Sequence, residues 1–112
     1  MTRWIAAFAL TQLVEVPIYA CAYREKEPRV ARRLAIAFGA SAITHPFVWF
    51  VFPRVVHPYL VMLLFAEAFA VIAEAAWFRR LDMPRPLFWS FVANATSVGV
   101  GFALRALWPG LI

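Results

Sequence analysis

Four long apolar segments, separated by short polar stretches, limit the folds that this chain of 112 residues can adopt. Each segment is about 19–22 residues long, which is enough for an α-helix to cross a hydrocarbon core of about 30 Å. Alanine, leucine and phenylalanine are mixed without strand-like alternation, so helices are favoured over a β-barrel. The predicted helices span residues 4–22, 34–52, 59–78 and 87–108.

The composition points to the same class of protein. The chain is 64% hydrophobic and only 15% charged, whereas a soluble domain is roughly 25% charged. We therefore predict an all-α integral membrane protein in which residues 1–112 form one four-helix transmembrane bundle. Membrane lipids are the expected partners. Nucleic acid is not, because the net charge of +5 is not arranged as a basic stripe with interleaved aromatic residues.

The positive charges are distributed unevenly between the two ends of the predicted bundle. Of the 11 Lys and Arg residues, only Arg3, Arg54 and Arg105 lie at one end, and the other eight lie at the opposite end. Cytoplasmic loops are enriched in Lys and Arg, so the predicted topology is N-out/C-out in a cell membrane, with a bacterial inner membrane favoured. The eight are Arg24, Lys26, Arg29, Arg32, Arg33, Arg79, Arg80 and Arg85.

Each apolar segment also carries polar residues at spacings of three, four or seven, which places them on one helix face. We interpret these four polar stripes as facing a shared interior. Counted at about 1.5 Å per residue from the arginine-rich end, Glu74 is the shallowest acid, and His45 and Glu67 lie together near the midplane. The stripes are Gln12, Glu15 and Tyr19; Ser41, Thr44 and His45; Glu67 and Glu74; and Ser90, Asn94, Ser97 and Gly101.

Beyond the midplane the predicted helices become apolar. The pattern predicts a vestibule that opens at the arginine-rich end and is closed by an apolar cap at the other end. Within it, His45 and Glu67 are predicted to form a hydrogen-bonded pair, directly or through one water.

Glutamates inside a membrane indicate function or specific pairing, because a charged side chain at the bilayer centre costs about 2.5–3.5 kcal/mol on insertion scales. The alternative interpretation is that the stripes are interhelical hydrogen bonds that hold the bundle together. The predicted proton- or cation-binding residues are Glu15, His45, Glu67, Glu74 and Asn94, supported by Gln12, Thr44 and Ser97.

Neither a metal site nor an enzyme active site has a sequence signature here. The chain has no Glu-x-x-His or His-x-x-His motif, and Glu67 and Glu74 are about 10 Å apart along a helix axis. We predict no metal and no cofactor. Catalytic residues cannot be assigned, because no sharp nucleophile turn is present, so the sequence leaves enzymatic activity open.

Three functions are compatible with these features. The first is a small transporter or channel for protons, a metal cation or a small cation, using intramembrane Glu and His. The second is a structural or accessory subunit of a membrane complex. The third is an intramembrane enzyme that acts on a lipid or isoprenoid from the cytoplasmic side. Four helices are few for a pathway of their own, so a homo-oligomer or a larger complex is expected.

Overall fold

The structure, a computed structural model, describes residues 2–109 and the side chains from Trp4 onward. The ends of the predicted domain, residues 1 and 110–112, and the side chain of Arg3 lie outside this range. All the regular secondary structure of the described part is helical, and that part contains no strand. The helices are α1 (Thr2–Ala22), α2 (Val30–Pro46), α3 (Phe52–Val55), α4 (Tyr59–Arg80) and α5 (Pro86–Leu107), and a π-helical turn, Phe47–Val51, joins α2 to α3.

Four of these helical segments are long and apolar enough to span a membrane, as the sequence predicts. They are Trp4–Ala22, Val30–Val55, Tyr59–Arg80 and Pro86–Leu107. Large apolar side chains cover the outer surface, where Leu13 is 74% exposed and Leu64 is 71% exposed. Such a surface suits a hydrocarbon solvent.

The second spanning segment differs from its prediction at both ends. It begins at Val30, four residues before the predicted start at residue 34, because Ala and Arg are good helix formers even where hydropathy is low. Past its predicted end at residue 52 it continues to Val55. Pro46 has no N–H to donate within the helix, and the chain continues through a turn in which the Phe52 N–H donates to the Phe47 carbonyl.

The four long helices form a ring in which each contacts two others. Helix α1 packs against α2 and α5, and α4 packs against the same two helices. Helices α1 and α4 therefore lie diagonally across the bundle. Any polar contact between them must pass through its centre.

The bundle has two different ends. We call the end that carries loops 23–29 and 81–85 the basic end, and the end that carries loop 56–58 the distal end. A core closes the basic end, where the Tyr19 and Phe78 ring centroids are 4.3 Å apart and the Tyr23 hydroxyl donates to the Leu81 carbonyl. Small residues let helices approach closely there. The core comprises Tyr19, Tyr23, Ile36, Ala37, Ala40, Phe78, Met83 and Ala93.

Candidate functional site

Glu74 is the centre of a buried hydrogen-bond network that joins all four long helices. Its side chain is on α4, and the residue is only 2% exposed. The Tyr19 hydroxyl of α1 donates to Glu74 Oε1 at 2.5 Å, and Asn94 Nδ2 of α5 donates to the same oxygen at 3.1 Å. The Thr44 hydroxyl of α2 donates to Glu74 Oε2 at 2.7 Å. One carboxyl group thus accepts hydrogen bonds from all three of the other long helices.

A second buried carboxyl group, that of Glu15, lies next to the first. Glu15 is 2% exposed, and the Ser41 hydroxyl donates to its Oε1 at 2.9 Å. Ser41 and Thr44 are three residues apart on α2 and therefore share one helix face. Because they bind Glu15 and Glu74 respectively, the two carboxyl groups lie side by side and interact electrostatically.

The network can accommodate either protonation state of the pair. A hydroxyl group can donate or accept, and the Thr44 hydroxyl is also within 3.3 Å of the Ser41 carbonyl and 3.4 Å of the Ala40 carbonyl. It can donate to an ionised Glu74, or turn to those carbonyls and accept from a protonated one. Asn94 Nδ2 has a fixed role, because its second N–H donates to the Ser90 carbonyl at 2.9 Å.

A cavity of about 370 Å³ extends from this network into the bundle. Glu15, Glu67, Glu74 and Asn94 supply polar groups to its wall. The remaining wall is largely apolar, with side chains such as Leu10, Val48, Met62, Leu63, Val98 and Phe102. This volume lies at the lower end of the range of small-molecule sites, which is about 300–1,000 Å³.

The cavity extends toward the distal end, so the predicted vestibule at the arginine-rich end is wrong. Pro53, Tyr59 and Arg105 line it at the distal end, and Tyr59 is 50% exposed there. At the basic end the path is blocked by Tyr19 and Phe78, both 0% exposed. The prediction failed because it treated the tyrosine as part of a polar path and the distal apolar residues as a solid cap.

Glu74 is buried although it lies near the end of α4. The sequence places it as the shallowest acid, close to Arg79 along the chain. The structure instead buries it beneath the Tyr19 and Phe78 rings, and it forms no salt bridge among the described residues. Its neighbours are hydroxyl and amide groups. The two aromatic rings, which lie between Glu74 and the loops, are what separate it from the basic end.

Of the three acids that line the cavity, Glu67 is the one least constrained by contacts. It is only partly buried and lines the cavity. No hydrogen bond holds its carboxyl group among the described residues. It lies two turns from Glu74 along α4, so its carboxyl group belongs to the cavity rather than to the network.

The predicted direct hydrogen bond between His45 and Glu67 is absent from the described part of the chain. The His45 ring lies among the rings of Phe8, Trp4 and Trp49, at centroid distances of 5.2, 6.1 and 6.2 Å. Its Nε2 is buried without a hydrogen-bond partner there. Both residues line the same cavity. The rings of Trp4 and Phe8 come from α1, and no spacing rule on α2 or α4 could reveal them.

The remaining predicted polar residues have different environments. Thr44 and Asn94 belong to the Glu74 network, and Ser97 lines the cavity. The side-chain amide of Gln12 is buried without a partner in the range described, and nothing in the structure explains it. The predicted site omitted Tyr19 and Ser41, although both belong to the polar stripes. Their helical spacing from Glu15 and Thr44 was the signal that could have added them.

Among the residues that the structure describes, no group of three His, Cys, Asp or Glu could hold a metal ion. No protein-family model matches the chain, and no curated protein or solved structure matches it. Its function must therefore be argued from the cavity and the buried acids.

Proposed function

We propose that this chain is a small membrane transporter or channel that binds protons or a small organic cation in its interior cavity. The observation that supports the proposal best is the set of three carboxyl groups, from Glu15, Glu67 and Glu74, on one largely apolar cavity of about 370 Å³. A metal cation is less well supported, since the described residues lack a suitable ligand group.

The charge balance of the interior supports this proposal. Ionised side chains in a membrane interior are costly unless they are paired or hydrated. No Lys or Arg forms a salt bridge with these three glutamates in the described structure. Carboxyl groups without such a partner favour a bound proton or a cation, and both are properties that a cation carrier requires.

The three acids have different roles in the proposal. Glu15 and Glu74 are each held by hydroxyl or amide donors and would retain or release a proton without losing the network. Glu67 faces the cavity and would contact the transported cation. His45, whose Nε2 lacks a partner in the described structure, would contribute a hydrogen bond to the ligand or to water.

The decisive experiment places Glu67 variants in proteoliposomes and measures the proton flux that a proton gradient drives. Glu67→Gln keeps the shape of the side chain but removes the titratable group. We expect at least a tenfold loss of flux, with the thermal stability of the protein unchanged or higher because a desolvated acid is gone. Glu25→Gln is the matched control, because Glu25 is exposed in loop 23–29. Full flux through Glu67→Gln would reject the proposal.

The second candidate is a structural or accessory subunit, and the Glu74 network favours it. Every donor around Glu74 comes from a different helix, as expected of a group that holds a bundle together. Under this alternative Glu67→Gln would be harmless. Glu67→Leu would also leave assembly nearly unchanged, because the Glu67 carboxyl group makes no hydrogen bond among the described residues.

We further propose that both termini lie outside the cytoplasm, in a bacterial inner membrane, and that the chain forms a homo-oligomer or joins a larger complex. The skewed distribution of Lys and Arg supports the orientation. The exposed apolar faces that include Leu13, Leu64 and Ile72 would meet lipid or a second copy.

A further inference from the structure

A second recess, at the basic end, is separate from the interior cavity. It lies between loops 23–29 and 81–85, and its volume is about 1,010 Å³. Lys26, Arg32, Arg79 and Arg80 line it together with one acid, Asp82. Four cations against one anion give this cleft a clear excess of positive charge.

Part of that charge is already neutralised, and the rest is not. Arg29 and Arg32 form salt bridges with Glu27 at 2.8 and 2.9 Å. The hydrogen bond from Arg29 lowers the pKa of Glu27 to about 2, so this acid is charged at neutral pH. Its salt bridge neutralises the charge of Arg32. By contrast, Lys26, Arg79 and Arg80 form no salt bridge among the described residues.

The floor of the cleft is held in place. The Tyr23 hydroxyl donates to the Leu81 carbonyl, which ties loop 81–85 to the end of α1. The Met83 N–H donates to the Phe78 carbonyl at 3.0 Å, and Met83 is only 4% exposed. The arginines at the end of α4 therefore stand beside a fixed loop.

We propose that this cleft binds the phosphate headgroup of an anionic phospholipid. Arginine is suited to phosphate because its guanidinium group can donate two parallel hydrogen bonds. A lipid is favoured over a soluble phosphate for two reasons. The cleft lies at the ends of membrane-spanning helices, and its lining includes apolar Leu81, Met83, Pro84 and Pro86. Leu87 and Phe88, at the start of α5, are 60% and 46% exposed and offer a surface for an acyl chain.

The test measures the binding of phosphatidylglycerol to the purified full chain in mixed micelles, with phosphatidylcholine as the neutral comparison. The double variant Arg79→Gln/Arg80→Gln removes two cleft arginines. The double variant Arg24→Gln/Arg54→Gln removes the same charge from exposed positions outside the cleft. Because each cleft arginine would donate charge-assisted hydrogen bonds to the phosphate, the cleft variant should bind phosphatidylglycerol at least about tenfold more weakly. The control variant loses only general surface charge and should lose clearly less.

Two other outcomes would overturn the proposal. Equal losses in the two double variants would show that net charge, not the cleft, attracts the lipid. Displacement of phosphatidylglycerol by millimolar inorganic phosphate would assign the cleft to a soluble phosphate. If the cleft double variant does not fold, Lys26→Gln against Arg24→Gln makes the same comparison, because only Lys26 lines the cleft, and the larger loss is expected for Lys26→Gln. Ion flux is not measured, so the result is independent of the proposed transport function.

Discussion

Glu74 shows how one residue can be both a structural and a chemical centre. Its carboxyl group accepts from three helices, so it fixes the positions of α1, α2 and α5 around α4. Two of its three donors are hydroxyl groups, which can also accept. The same contacts that hold the bundle therefore allow a proton to be gained or lost without breaking it.

The Tyr19 hydroxyl is the donor that can be removed most cleanly. Tyr19→Phe deletes the 2.5 Å hydrogen bond to Glu74 but keeps the ring that packs on Phe78. We expect a loss of about 0.6–1.7 kcal/mol in the free energy of unfolding, the range of interhelical hydrogen bonds in membrane proteins. Unfolding in mixed detergent, followed by circular dichroism, measures it.

Tyr59→Phe provides the control for that experiment. Tyr59 is at the distal end and 50% exposed, and its hydroxyl makes no hydrogen bond to the described residues. Its replacement should leave stability within about 0.5 kcal/mol of the parent. Equal effects of the two substitutions would mean that the Tyr19 contact does not hold the bundle.

At the scale of single helices, the close approach of α2 and α4 depends on one glycine. A Cβ atom on Gly39 would lie 3.2 Å from Cζ2 of Trp77. Trp77 is not easily displaced, because its Nε1 donates to the Ile36 carbonyl at 3.1 Å. The Trp77 ring thus packs on α2 where Gly39 has no side chain, and its N–H satisfies a backbone carbonyl of α2.

This contact predicts different effects of alanine at two helical glycines. Gly99, on α5, has nothing within 4 Å of an added Cβ, so Gly99→Ala should raise stability by up to about 1 kcal/mol through helix propensity. Gly39→Ala should gain little or lose stability, because its methyl group displaces Trp77. Thermal unfolding of the two variants measures the difference, and a larger gain at position 39 would contradict the packing argument.

The bounds of some helices could be predicted from the sequence and those of others could not. The starts and ends of α4 and α5 lie within two residues of the predicted bounds, because Pro58, Pro86 and the arginine pair at 79–80 mark them. The start of α2 could not be found from hydropathy, since Val30–Arg33 is helical without being apolar. The π-helical turn after Pro46 depends on how the chain restores its backbone hydrogen bonds, which no residue spacing specifies.

The molecule as a whole is closed at one end and carries a cavity toward the other. Helical spacing was enough to predict that Glu15, Thr44, Glu74 and Asn94 face inward, and all four are buried. Depth along a helix did not predict where space remains. Small residues such as Ala37, Ala40 and Ala93 let the helices close around Tyr19 and Phe78, whereas the larger distal side chains line a cavity instead of filling it.

This asymmetry predicts that the interior is reached from the distal end. Ser97 lines the cavity, whereas Ser90, seven residues earlier on the same helix, is 0% exposed. In a variant that carries Cys21→Ala, we expect Ser97→Cys to react with a small membrane-impermeant thiol reagent and Ser90→Cys to remain unreacted. The two substitutions are nearly isosteric, so the comparison reports access rather than distortion.

Two loop positions report which side of the membrane that access comes from. If the proposed orientation is correct, Arg54→Cys is labelled in intact cells, Arg29→Cys is labelled only after the membrane is opened, and Ser97→Cys behaves like Arg54→Cys. Labelling of Arg29→Cys together with Ser97→Cys in intact cells, without Arg54→Cys, would reverse both the orientation and the direction of the cavity. If Ser97→Cys follows Arg54→Cys and both are protected in intact cells, only the orientation is wrong, because the cavity would still open where the structure has its distal end.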